Sequence, residues 1–391
     1  MTSKRNTLIA AALALVAVVV APLAVLNARK LRVGVILPFT GPDAAVGLGM
    51  RNSIRLAVDE VNSRGRIQGR DVKLVELDDA SSISRAIAAA KRLVGDKHVV
   101  AALVHYDPET SMATQTILSA AGMGNIVAGV SNRDSSSLMR SATEFRIIPL
   151  GTALMAVAAS YAWQILNART FLYIRDDSGF GMSMVNEFRA GLTPFFGRLV
   201  TGGDVMIHQG DRDFGPLIAT IRAAPPQYIM FGGRPEEAGL FLAQLRAAGV
   251  TSWFQSATHY PSQELIDLAK DKAEGAIAVF HGLPPEEFPE GRAFLKAYAA
   301  KGFAQPPSIY GIYAYAAAQV LLTAMERSFL TRTSIVGALT NESFDSALGP
   351  IRFNFMGSSY GTTAIYQVIK GHWVPIYATD SAGKLKPFVP R

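Results

Sequence analysis

Apolar positions along this chain alternate between two rhythms, and each predicts an element. Leu31–Leu37 is a short β-branched run closed by Pro38, the pattern of a buried strand. Pro38-Phe39-Thr40-Gly41-Pro42 reads as a loop, after which Ile54, Ala57, Val58 and Val61 recur at helical spacing. Asn62 and Gly65 end that helix, because glycine accepts the left-handed conformation of a C-terminal cap. The alternation continues with a strand over Val72–Leu77 and a helix through Ile83, Ile87, Ala90 and Val94, stopped by Gly95. A strand over Val99–Val104, a helix over Thr110–Ala121 and a strand over Ile126–Val130 follow.

The rhythm then restarts. Helices are predicted over Gly151–Asn167, Gly181–Phe196 and Phe214–Ala223, and a further one through Ala238, Phe241, Leu242 and Leu245, capped by Gly249. Strands are predicted over Thr170–Ile174, Gly202–His208, Tyr228–Phe231, Trp253–Ser256 and Ala276–Phe280. A β-α-β-α order implies parallel sheets with helices on both faces. The fold class is therefore α/β, with two doubly wound lobes and a cleft between them. Ligands of such sheets bind outside the carboxyl ends of the strands. The expected cleft loops are those after Leu37, Val104, Val130, Ile174, Phe231 and Ser256. The Pro-rich piece Leu283–Pro289 reads as a crossover rather than a linker.

Ahead of the first strand, Lys4 and Arg5 precede an uninterrupted apolar run from Leu8 to Leu26, long enough to cross a bilayer. The basic pair would stay cytoplasmic, sending the rest of the chain outward. Residues 1–30 are read as a cleaved signal peptide or an uncleaved membrane anchor, and both export the body. Formal net charge is +7, but Lys4, Arg5, Arg29 and Lys30 flank the apolar run, so the remainder carries only about +3. No Lys/Arg stripe with interleaved aromatics is present, which argues against a nucleic-acid partner. The absence of cysteine excludes disulfides, thiol chemistry and a lipid-modified cysteine anchor.

Enzyme chemistry finds no support in the motifs. Six histidines (98, 105, 208, 259, 281, 372) are scattered without metal-type spacing. There is no G-x-S-x-G elbow and no P-loop. Asp78-Asp79 reads as a solvated pair at a strand end rather than a catalytic dyad. No metal, no cofactor and no enzymatic activity are expected.

Five motifs in order resemble one family. They are Gly41-Pro42 with Ile54, Ala57, Asn62, Gly65, Ile67, Gly69, Leu74 and Asp78-Asp79; Asp177-Ser178-Gly179-Phe180-Gly181; Asp213-Phe214 with Leu217, Ile218 and Ile221; Phe231-Gly232-Gly233 with Gln244 and Gly249; and Leu348-Gly349-Pro350-Ile351-Arg352-Phe353. Together they resemble the periplasmic leucine/isoleucine/valine-binding proteins and their amide-binding relatives, the substrate-binding subunits of ABC importers. The resemblance implies a type I periplasmic binding fold with a three-crossover hinge. Lobe one would comprise residues 31–149 and 282–363, lobe two residues 150–281 and 364–391. It also implies a monomer in the periplasm that closes like a clamp on a small solute and hands it to the importer's membrane subunits. Residues 8–26 would tether it to the inner membrane if uncleaved.

The resemblance further implies ligand contacts by Tyr106, Asp107, Asn132, Arg133, Asp134, Phe180, Arg234, Thr258 and His259. Here the chain departs from the family's pattern. Asp107 stands where relatives offer a serine, Asp134 near a threonine position, Thr258 in place of the ammonium-binding glutamate, and Arg234 in place of an aromatic. Leucine itself is therefore not the expected ligand. A polar amide, a cationic or polyhydroxy solute, or a carboxylate held by Arg133 or Arg234 fits better. Asp107 and Asp134 also read as helix caps, and Phe180 also as a packing residue. The alternative function is a ligand-sensing or partner-binding receptor subunit of the same fold.

Overall fold

Strand and helix alternate through the computed structural model, which describes residues 30–130, 142–196, 202–256, 261–380 and 383–389. These residues divide into two compact units. The first contains 30–130, 142–147 and 290–359, the second 148–196, 202–256, 261–289, 360–380 and 383–389.

The first unit opens with β1 (Leu31–Leu37), α1 (Ala44–Arg64), β2 (Val72–Asp78), α2 (Ile83–Gly95), β3 (Val99–Val104), α3 (Pro108–Ala120), β4 (Gly124–Val127) and β5 (Glu144–Arg146). Its sheet is parallel, in the order β2-β1-β3-β4-β5, with Leu37 opposite Asp78 and Ile36 opposite Val104. Gly65 ends α1 at φ +131°, a conformation few other residues adopt, and its N–H donates to Val61 O. The predicted strand over Ile126–Val130 pairs only through Val127, because its neighbour β3 stops at Val104 and turns away at His105, where φ is +61°.

The second unit follows with α4 (Gly151–Ser160), β6 (Phe171–Arg175), α5 (Gly179–Phe196), β7 (Gly203–Met206), α6 (Gly215–Ala223), β8 (Tyr228–Gly232), α7 (Pro235–Ala247), β9 (Trp253–Ser256), α8 (Gln263–Ala269) and β10 (Ile277–His281). The helix expected over Gly151–Asn167 is α-helical only to Ser160. A π turn over Tyr161–Ile165 completes it, and the exit is pinned by Ala168 N donating to Ala162 O and by Arg169 stacked 3.5 Å from the Trp163 ring centre.

The chain then returns to the first unit with α9 (Pro289–Ala300), α10 (Gly311–Glu326), α11 (Arg332–Asn341), β11 (Ser343–Phe344) and β12 (Ile351–Arg352). It ends in the second unit with β13 (Thr363–Ile369), β14 (His372–Thr379) and β15 (Leu385–Pro387). These three strands run antiparallel and extend the second sheet to β15-β14-β13-β10-β9-β8-β6-β7.

Each sheet is covered on both faces. In the first unit, Ile36, Leu77, Val104 and Val127 meet Ala90 and Leu93 of α2 and Leu118 of α3, while α1 packs on α10. In the second, Tyr173, Tyr228 and Ile277 meet Met155 and Phe188 on one face, and Phe231 and Phe254 meet Phe241, Leu245 and Leu265 on the other. Phe188 stacks on Tyr228 at 5.7 Å, an arrangement worth about 1 kcal/mol beyond its burial.

Candidate functional site

A doubly wound sheet leaves a crevice where its strand order reverses, outside the carboxyl ends of the strands. In the first unit β1 leads to β2 on one side and has β3 on the other, so the reversal falls between β1 and β3. The loops there are residues 38–43 and 105–107. Asp78, at the end of β2, organises the first of them. Its Oδ1 accepts the N–H groups of Phe39 (2.7 Å), Thr40 and Ala80, and its Oδ2 accepts Thr40 Oγ1 (2.6 Å) and Arg85 (2.8 Å). Burial pushes its acidity toward the neutral form, yet these hydrogen bonds outweigh it and hold the carboxyl below the usual carboxylate range.

The β3–α3 loop is built on a buried histidine. His105 is 1% exposed, and its Nε2 lies 2.6 Å from Thr114 Oγ1, which is 3.0 Å from Thr110 O. That chain fixes the tautomer, with Nε2–H donating to the threonine and the threonine donating to the carbonyl, an assignment made from the network. Nδ1 is then an acceptor without a partner. Burial pushes the imidazole down to about 3, so His105 is neutral at ordinary pH. Tyr106, half-buried, packs edge-on against Tyr310 at 5.6 Å. Asp107 caps α3: its Oδ1 accepts Thr110 N at 2.9 Å, and Pro108 follows at the first helical position.

Asp79 corrects one expectation. It is 1% exposed, not a solvated strand-end residue; its Oδ1 accepts Ser81 N, and its Oδ2 is buried without a hydrogen-bond partner. Burial, aided by the negative charges of Asp78 and Asp107, pushes its carboxyl up to about 6.

In the second unit the order reverses between β6 and β8. Asp176, buried at the exit of β6, accepts Ser178 N on Oδ1 and Gln209 Nε2 (3.0 Å) on Oδ2, so one carboxylate braces the loops after β6 and β7. Asp177 Oδ2 meets His208 Nδ1 at 3.0 Å; that hydrogen bond raises the pKa of the imidazole and lowers that of the carboxylate. Gly181 lets α5 start against the end of β8. A Cβ there would fall 2.4 Å from Gly232 O and 2.2 Å from Asp176 Oδ1.

Of the expected contact residues, Tyr106 and Asp107 stand at the reversal point of the first sheet, and Phe180 and Arg234 at that of the second. Phe180 is half-buried and packs on the core of its unit. Arg234 is exposed at the N-cap of α7, and its guanidinium forms no hydrogen bond or ion pair with the described residues. That is the unfavourable end of a helix for a cation. Asn132, Arg133, Asp134, Thr258 and His259 lie outside the described residues, as does the apolar run 8–26. Among the described residues, no helix is long and apolar enough to cross a membrane. Two residues at these strand ends escaped the sequence reading as site candidates: Asp79, and Ser256, whose buried Oγ has no hydrogen-bond partner.

Residues 30–371 match the model of a family described as periplasmic binding protein. The chain belongs to that family. It is 29% identical over 294 residues to an amino acid binding protein of Pseudomonas aeruginosa, covering 75% of this chain and 77% of the relative. It is 28% identical over 329 residues to a Leu/Ile/Val-binding protein homolog of Brucella abortus, covering 83% and 86%. A leucine binding protein from Thermotoga maritima superposes with a TM-score of 0.75 at 23% identity, over 90% of this chain and 99% of that one. A solute binding protein from R. palustris, solved with benzoate, superposes with a TM-score of 0.72 at 19% identity, over 92% and 98%. The last two likenesses concern the fold. They agree with the α/β type I periplasmic binding architecture that the β-α rhythm and the five motifs imply.

Proposed function

We propose that this periplasmic binding protein works outside the cytoplasm, binding a small polar solute and delivering it to the membrane subunits of an ABC importer. The observation that carries the reading is the family match over residues 30–371. Relatives named for amino acids support a solute in the amino acid or amide range, and the benzoate complex marks how far solute chemistry varies on this fold. The contact residues in this proposal are Tyr106, Asp107, Phe180 and Arg234, joined by Asn132, Arg133, Asp134, Thr258 and His259. Arg234 is the natural partner for an anionic group, since its exposed guanidinium forms no hydrogen bond or ion pair with the described residues.

Clamp closure belongs to the same proposal, supported by the division of the chain into two compact units. A solute that binds one arrangement of the units better than another shifts the population toward it. Binding rather than catalysis is proposed because the family is one of binding proteins. Attachment through residues 8–26 and a monomeric state are part of the proposal as well.

A thermal-shift panel of amino acids, amino acid amides, polyamines, sugars and small carboxylates tests the reading. A ligand at 100 times its Kd stabilises the native state by about 2.7 kcal/mol, which raises the melting temperature by several degrees. A panel without a single shift, on a protein that unfolds cooperatively, would overturn it.

A further inference from the structure

The β3–α3 loop has the position of an anion site but not its chemistry. A helix N-terminus attracts carboxylates because its first N–H groups lack partners. In α3 those donors are spent. Position one is Pro108, which has no N–H; Thr110 N is taken by the Asp107 carboxylate at 2.9 Å, and Ser111 N by Asp107 O at 3.1 Å. Only the N–H of Glu109 remains, on a residue that is itself acidic. A negative charge already sits where a solute carboxylate would have to go.

The surroundings reinforce this. Residues 38–47, 78–86 and 105–111 carry the carboxylates Asp43, Asp78, Asp79, Asp107 and Glu109, against the single guanidinium of Arg85. Arg85 is already paired with Asp78 at 2.8 Å. His105 adds no positive charge, because burial keeps it neutral. Two carboxylate oxygens in this group receive no hydrogen bond from the described residues. Asp79 Oδ2 is enclosed in a residue 1% exposed. No described residue donates a hydrogen bond to the second oxygen of half-buried Asp107, its first being committed to the cap.

We infer that the solute presents a hydrogen-bond-donating nitrogen, an ammonium or a primary amide, to Asp107 of the first unit, and that solutes carrying only a carboxylate are rejected there. The inference rests on the solute-binding reading and assigns the class of solute within it. The chemistry is that of a donor meeting an ionised acceptor, a pairing roughly twice as strong as a neutral hydrogen bond. A carboxylate at the same place would face like charge and one remaining N–H.

The test is calorimetric titration of the full chain with four matched probes: L-leucine, L-leucinamide, 3-methylbutylamine and 4-methylpentanoate. The first three keep a donor nitrogen; the fourth is leucine without its amine. The expected result is that at least one donor-bearing probe binds 10-fold or more tighter than 4-methylpentanoate. Asp107→Ser keeps a good N-cap and removes the charge. It is expected to weaken the donor-bearing probe about 10-fold with little change in melting temperature. Equal or tighter binding of 4-methylpentanoate overturns the inference and leaves the solute-binding reading standing. So does an Asp107→Ser protein that binds the amine as well as the parent does. Binding of none of the four probes, together with a silent solute panel, overturns both.

Discussion

His105 Nε2 and Thr114 Oγ1 sit 2.6 Å apart beneath the loop that leaves β3. The contact joins a residue in the left-handed region, φ +61°, to the second turn of α3, and so anchors the loop that carries Tyr106 and Asp107. Left-handed backbone is rare for a residue with a side chain, although histidine tolerates it better than most. Thr114→Val should leave the imidazole donor unsatisfied in a buried site. We expect a loss of about 1–3 kcal/mol, read as a lower denaturation midpoint at unchanged m-value.

Asp79 makes stability depend on pH in a way that its own substitution isolates. Its carboxyl is raised from an ordinary value near 3.8 to about 6. A raised acid stabilises the fold fully below the unfolded value, and that contribution is lost as pH climbs through the folded value. His105, depressed from 6.5 to about 3, has the opposite slope, losing stability as pH falls below 6.5. Because His105 is common to both proteins, the difference between Asp79→Asn and parent reports Asp79. We expect Asn to gain on the parent between pH 4 and pH 7 by on the order of 2 kcal/mol, one pKa unit being about 1.4 kcal/mol. Melting curves across that range check it, and a flat difference would contradict it.

Arg332 ties several chain ends of the first unit together. Its guanidinium donates to Val99 O (3.1 Å), Ala121 O (3.3 Å), Val94 O (3.2 Å) and Asp96 O (3.2 Å), carbonyls at the ends of α2 and α3 and at the start of β3. A cation is favourable at helix C-termini, and only a guanidinium supplies donors in this fork. Arg332→Met should cost about 2 kcal/mol by chemical denaturation, and Arg332→Lys should recover only part of it.

Two glycines in the first turn of α5 should respond in opposite ways. A methyl group on Gly181 would collide with backbone at Gly232, whereas one on Gly179 meets nothing within 4 Å. Gly181→Ala is expected to destabilise by about 1–3 kcal/mol, as overpacking does, and Gly179→Ala to be neutral or mildly stabilising. Paired denaturation curves decide it.

How far the sequence could be read depended on whether an element leaves a period. The β-α rhythm from Leu31 to Phe280 was legible because short apolar strands and one-sided helices carry distinct repeats. α10 was not, since Ala314, Ala317, Val320 and Leu321 are buried along with neighbours on every side, so no polar face marks its register. β13–β15 escaped because an antiparallel tail has no helices between its strands to announce them. At the site, Asp107 could be read as a cap because aspartate before proline at a helix start is a local signal. The burial of Asp79 could not, because enclosing an acid is decided by the packing of distant segments. Nor could the left-handed turn at His105, which the sequence marks with no glycine.

Arg234 supplies a prediction on the second unit. Its exposed guanidinium has no hydrogen bond or ion pair with described residues and sits at a helix N-cap. Arg234→Ala should therefore leave the melting temperature nearly unchanged. Under the proposed role it should weaken the binding of an amino acid about 10-fold while leaving that of the matching amine, which lacks the carboxylate, unchanged; an unchanged amino acid affinity would make Arg234 a solvated surface charge.

Calorimetric titration of the full chain with amino acids and their amides decides whether it binds a small solute. Saturable binding at one site per chain is expected, with a negative heat-capacity change as apolar surface is buried. A dissociation constant of 1 μM would correspond to about −8.2 kcal/mol. A cooperatively folded protein that gives no saturable heat with any of these solutes would contradict solute binding.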